Sequence, residues 1–203
     1  ARRTGDAAGT ARFVRHRPAS LLRHCGATAG SCAGEPAVAG VRYDASQRSS
    51  QYVTVRDGTR LAVAVFRPVS AGTPESSPLP VILVHALGQR PRDLDGRITA
   101  DLGLGELVRR GNVVAWMEPR GFGASFGAST PFLTRQNGRD AADVIEWLAR
   151  QPWANGKVAM YGLSNLGYIQ WLTAAERPAG LIAINCDAPG QRRGINVQVL
   201  GQV

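Results

Sequence analysis

Four short apolar runs lie between Pro80 and Asn185, each separated from the next by a stretch compatible with helix. Pro80-Val-Ile-Leu-Val-His85 is continuously apolar, as a strand covered on both faces must be. Ala100–Arg110 reads as a helix, weakened by Gly103 and Gly105 and stopped by Gly111 as the residue just past its C-cap. Asn112–Met117 is the next strand. Arg139–Arg150 is a stronger helix: Ala141, Val144, Ile145 and Leu148 share a face, acids lie early, Arg150 lies late and Pro152 follows. Lys157–Tyr161 is a third core strand. Leu166–Ala175 is a helix closed by Pro178 and Gly180, and Leu181–Asn185 is a fourth strand. Such alternation builds a parallel sheet with right-handed crossovers and helices on both faces, the α/β class.

Ahead of this unit, Gln51-Tyr-Val-Thr-Val-Arg alternates in strand fashion and Leu61–Pro68 forms a second strand. Asp57-Gly58 between them signals a hairpin, predicted as an antiparallel edge addition. Residues 69–79 read as a loop, and Gln191–Val203 as a tail with no clear element. Residues 1–40, rich in Ala, Gly and Arg without a steady period, are predicted to be a disordered leader, which leaves 41–203 as the folded part. The chain opens on Ala1 rather than Met, which is read as the mark of a fragment or processed product.

Charge tests a rival function. The formal net charge is +9, which invites a nucleic-acid reading. The arginines are scattered, however, and few aromatics stand among them. Nucleic-acid binding is therefore not expected. Cys25, Cys32 and Cys186 lack the spacing of a zinc site, and no metal or organic cofactor is expected. Cys186 reads as a buried thiol, and Cys25 and Cys32 could pair only in an exported protein. No apolar run reaches the roughly 18 residues of a membrane span. No signal-peptide core is visible, so a cytoplasmic location is slightly favoured and membrane association is not expected. The oligomeric state is not legible.

Chemistry concentrates in Tyr161-Gly-Leu-Ser-Asn-Leu-Gly167. A strand ends, a glycine permits a sharp turn, and Ser164 opens a helix. Such a turn lifts a serine hydroxyl above the C-terminal edge of the sheet. The helix N-terminus behind it offers N–H donors to a developing oxyanion, that of Asn165 first. The spacing is G-x-S-x-x-G rather than G-x-S-x-G, and a serine N-cap on an ordinary strand–helix unit is the competing interpretation. Glu118-Pro-Arg-Gly-Phe-Gly-Ala-Ser-Phe-Gly127 is a second loop at the same sheet edge. Taken alone it is a flexible loop, and it has no phosphate-cradle pattern. His85-Ala-Leu-Gly-Gln-Arg90, after the first core strand, is placed to lend an oxyanion N–H. His85 itself is read as a structural histidine rather than a base.

With these loops in this order, the chain resembles the cocaine esterase / Xaa-Pro dipeptidyl-peptidase-like family of serine hydrolases, which includes α-amino-acid ester hydrolases and glutaryl acylases. Tyr52–Pro68 is similar to its opening hairpin, Glu118–Ser125 to its D-x-R-G-x-G-x-S loop, and Asp143–Trp171 to the segment carrying its G-x-S-Y-x-G elbow. The likeness covers about residues 50–188. It implies a partial α/β-hydrolase fold and an acyl-enzyme mechanism on small esters, amides or X-Pro peptides, with Ser164 as nucleophile and the Asn165 N–H in the oxyanion hole. Asn165 stands where the family has Tyr. Leu87 lies near the position of the family's oxyanion tyrosine, whose hydroxyl is missing here. The resemblance also implies that the family's catalytic Asp and His, its helical cap and a jelly-roll domain fall past residue 203. The chain is thus expected to be an N-terminal part with impaired activity, or else a non-catalytic remnant or binding module. Asp187 is a candidate substitute acid. His16, His24 and His85 all precede Ser164, the reverse of the family's order.

Overall fold

The computed structural model describes residues 40–86, 91, 94, 103–187 and 197–199. The predicted leader, Leu87, His16, His24, Cys25 and Cys32 lie outside the described residues, as do the side chains of Cys186 and Asp187. The elements in chain order are β1 (Ala45–Thr54), β2 (Arg60–Ser70), β3 (Thr73–Pro74), β4 (Leu79–His85), α1 (Leu104–Arg109), β5 (Val113–Met117), α2 (Arg135–Ala149), β6 (Ala154–Leu163), α3 (Asn165–Ala175), β7 (Leu181–Asp187) and β8 (Val197–Val199).

One sheet runs β1-β2-β5-β4-β6-β7-β8, with β3 beside β2. Its interior is parallel, β5-β4-β6-β7, and its flanks are antiparallel. The order reverses about β4, which has β5 on one side and β6 on the other, so the loops leaving these three strands open at one edge. That is where an open α/β sheet places its ligand crevice.

Alternation along the strands sorts the two faces. Val63, Val65, Leu83, Ala115 and Met117 pack beneath α2 and α3, represented by Val144, Ile145, Leu148 and Ile169. Ala64, Phe66, Val84, Val114 and Trp116 pack beneath α1 through Leu104 and Val108. β4 and β5 bury both sets of alternate side chains, which is why they read as unbroken apolar runs.

Several boundaries differ from expectation. β1 starts at Ala45, six residues earlier than predicted, and pairs with β2 along its whole length. It is an edge strand whose outer side chains stay exposed, so alternation gives no signal there. The predicted loop 69–79 contains β3, and the predicted featureless tail contains β8, which pairs antiparallel with Ala183–Asn185 of β7. Both are too short to carry a period. α1 begins at Leu104, after Gly103 in the left-handed region (φ 65°). Gly111 (φ 91°) follows it as anticipated. α2 starts four residues earlier than predicted, because the Asn137 carboxamide accepts from the N–H (3.0 Å) and hydroxyl (2.9 Å) of Thr134. Its first turn consequently holds no acid; Asp140 and Asp143 fall mid-helix, where they make tertiary bonds instead of favouring the dipole.

Gly138 of α2 meets α3 directly. A Cβ at that position would lie 2.6 Å from the Leu172 carbonyl oxygen, so glycine sets the approach of the two helices. Glu176, at the end of α3, pairs with Arg135 of α2 at 2.9 Å.

Candidate active site

The turn between β6 and α3 carries Ser164. Its φ of 54° and ψ of −122° are far outside the usual regions for a residue with a side chain. The carbonyl of Ser164 accepts from the N–H of Gly167 (2.9 Å) and of Tyr168 (3.1 Å), so the helix begins at this residue while its side chain stays exposed. Asn165 is the first residue of α3, and an N–H in a first turn has no acceptor within its own helix. The ordinary serine N-cap has extended backbone and a side chain bonded to the next turn. Ser164 has neither the extended backbone nor a side-chain cap bond.

Gly162 makes the turn possible. A Cβ there would overlap the Cβ of Leu166 and lie 3.3 Å from its carbonyl carbon. Leu166 occupies the place where the shorter motif has its second glycine, and the turn closes because position 162 has no side chain. Gly162→Ala is expected to destabilise the fold by about 1–3 kcal/mol through this overlap, read as a lower urea midpoint with an unchanged slope. An unchanged midpoint would show that the turn relaxes freely.

His85 ends β4. Leu83 pairs with Met160, and two residues further along each strand come His85 and Gly162. The imidazole is fully buried, neither ring nitrogen has a hydrogen-bond partner among the described residues, and Phe132 meets it edge-on with centroids 5.7 Å apart. Burial alone pushes its pKa down to about 3, so it is neutral near pH 7. It is sealed under the β5–α2 loop rather than presented to solvent. Asp187, at the end of β7, is level with Leu163, one residue before Ser164.

The Glu118–Gly127 loop is pinned rather than flexible. The buried Glu118 carboxylate accepts from the Ala124 N–H at 2.8 Å, in space that a Cβ on Gly123 would fill. The Ser125 hydroxyl donates to the Glu118 carbonyl and accepts from the Ala62 N–H, both at 2.8 Å. Arg120 forks onto Asp140 of α2, with Nε–Oδ2 at 2.9 Å and Nη2–Oδ1 at 2.7 Å. Its Nη1 reaches Thr59 Oγ1 at 2.9 Å and Asp57 Oδ2 at 2.8 Å in the β1–β2 turn. The Arg120 hydrogen bond, with help from the Thr59 N–H, holds the Asp57 carboxyl down at about 2. Composition revealed the loop, but its partners at 57, 59 and 140 have no sequence signature. Gln170 was also missed. It is a lone amide within the apolar stretch Leu166–Ala175, and that isolation was the available signal.

Among the described residues, no helix is long and apolar enough to cross a membrane, and no group of three His, Cys, Asp or Glu could hold a metal ion.

A profile of the X-Pro dipeptidyl-peptidase (S15) family matches residues 57–193. The chain is similar to a cocaine esterase from Rhodococcus sp. (strain MB1 Bresler), with 37% identity over 139 residues, 68% of this chain and 23% of that protein. Among solved structures it is similar to a CocE/NonD family hydrolase from Staphylococcus aureus, with 25% identity and a TM-score of 0.55, covering 68% of this chain and 27% of that one. An α-amino-acid ester hydrolase shares the fold at 22% identity and a TM-score of 0.55, over 78% of this chain and 28% of its own. The chain thus spans about a quarter of the length of these relatives.

Proposed function

The chain belongs to the X-Pro dipeptidyl-peptidase (S15) family, and from that premise we propose that it carries the nucleophile of a serine hydrolase acting on small esters, amides or short peptides through an acyl-enzyme. Ser164 Oγ attacks the substrate carbonyl carbon, the leaving group departs with a proton, and water then releases the acid. The Asn165 N–H donates to the oxyanion as charge develops on it. The loop after β4, in which Leu87 falls, is the source we assign to a second donor. The observation that supports this reading most strongly is the backbone of Ser164, held in a costly conformation at an exposed turn on a helix N-terminus. Strain of this kind persists where the surroundings over-determine it, and it concentrates at functional sites.

A serine hydroxyl needs a base to act at neutral pH. His85 is buried and neutral, and is not that base. We assign the base and its orienting carboxylate to the part of the longer relatives' length that this chain does not span. Asp187 is the acid this chain offers at the same sheet edge. No cofactor enters the scheme. The burial of His85 also favours a second reading, in which the chain alone is catalytically silent.

A fluorophosphonate probe separates the two. Incubation with the folded chain, followed by peptide mass spectrometry, is expected to place an adduct on Ser164, formed slowly because the oxyanion donor is in place while the base is assigned outside this chain. A chain that is folded by circular dichroism and carries no adduct there would favour the silent reading.

A further inference from the structure

Gln170 lies one turn into α3 and is fully buried. A buried carboxamide is costly unless both its ends are matched, and here they are matched by the two segments that flank the nucleophile. Its Nε2 donates to the carbonyl of Leu166 at 2.9 Å, in the first turn after Ser164, and to the carbonyl of Asn185 in β7 at 2.8 Å. Its Oε1 accepts from the Asn185 N–H at 2.8 Å. The same Nε2 stands 3.5 Å from the carbonyl of Gly162, two residues before Ser164. One side chain therefore joins the start of the nucleophile helix to the neighbouring strand, exchanging with Asn185 the donor and acceptor that a strand's own peptide would offer.

We propose that Gln170 is a positioning residue for Ser164: its carboxamide braces the turn by tying the Leu166 carbonyl to the backbone of Asn185. This rests on Ser164 being a nucleophile. The turn needs such a brace because Ser164 is strained and exposed, and its own side chain makes no cap bond. Leu or Met at position 170 would preserve apolar packing yet leave the Asn185 N–H and carbonyl unmatched. Glu would preserve shape, but its carboxylate would face the Leu166 and Asn185 carbonyls with lone pairs. Only the protonated acid can donate to one of them.

The test is the rate of Ser164 labelling by a fluorophosphonate on the full chain, resolved into saturation constant and limiting rate. Gln170→Glu at pH 8 is expected to lower the limiting rate on the order of 10²-fold with little change in saturation, since small misplacement of a reacting group costs about that much. Relative to wild type at each pH, the loss should shrink as the pH falls and the introduced carboxylate protonates. Thr173→Val is the stability control: it removes another buried bond of the same helix, Thr173 Oγ1 to the Ile169 carbonyl at 2.9 Å, away from the turn. It should leave labelling unchanged. Labelling of Gln170→Glu within twofold of wild type, or a loss matched by Thr173→Val, would overturn the proposal. If wild-type Ser164 does not label at all, the nucleophile reading fails. Amide hydrogen exchange across residues 160–168 then judges the brace separately: faster exchange in Gln170→Glu than in Thr173→Val supports it, and equal rates reject it. Gln170→Met keeps the apolar packing and introduces no charge, so it carries the same labelling test if Gln170→Glu does not fold.

Discussion

Ser164→Gly is expected to raise the temperature of unfolding while abolishing covalent labelling at position 164. The serine sits at φ 54° and ψ −122°, and a non-glycine residue held in such a region carries about 1–3 kcal/mol of strain. Glycine has no Cβ to strain. It does add freedom to the unfolded chain, which offsets about 0.5–1 kcal/mol. A net gain of about 1 kcal/mol remains, or about 2–4 °C for a chain of this length. Ser164 is exposed and makes no side-chain cap bond, so deleting its hydroxyl removes little from the folded state. Ser164→Ala separates the two effects, because alanine loses the nucleophile but keeps the Cβ. Its unfolding temperature should match that of wild type, with labelling again absent. Scanning calorimetry on the three proteins decides the matter. If glycine destabilises the fold, the turn is not strained at this residue, and the observation that best supports a catalytic serine disappears.

Arg120→Ala should have the largest effect on stability. Asp140 is 2% exposed and Arg120 10%, and they share two hydrogen bonds in a planar fork. Removing one member of a buried pair leaves the other charge desolvated and costs about 3–5 kcal/mol. Gln136 alone, donating to Asp140 Oδ1 at 2.9 Å, would remain to compensate among the bonds described. The Asp57 arm contributes little to this figure, because its side chain is 45% exposed. Thermal unfolding should drop by about 10 °C. Arg120→Lys should rescue only part of this, since an ammonium cannot make the fork. Asp140→Leu combined with Arg120→Leu should cost less than Arg120→Ala, because no unpaired charge is left behind. A loss below about 1 kcal/mol in Arg120→Ala would show that solvent reaches Asp140 and that the pair is not buried in the sense of that estimate. The consequence extends to the site. The same guanidinium holds the β5–α2 loop to the β1–β2 turn and to α2, and α2 presses on α3 through Gly138.

The core strands β4 and β5 were readable because they pack on both faces, which removes the polar positions that would break an apolar run. The G-x-S turn was readable for a similar reason. Gly162 and Ser164 meet their constraint within five residues of chain, where Leu166 leaves no room for a Cβ. Local sterics of this kind are written in sequence. The short β3 and β8 were not, since two or three residues hold no period and form only where a longer strand already waits.

Residue order alone was enough to place a strained serine between a buried strand and a helix, because backbone geometry there depends on near neighbours. Folding in three dimensions was needed to show that Arg120 belongs to Asp57, Thr59 and Asp140, and that Gln170 belongs to Asn185. Those contacts join segments 15 to 63 residues apart. Hydrogen-bond partners over such separations are selected by which strands and helices end up side by side, and by the low dielectric that makes an unmatched polar group there costly.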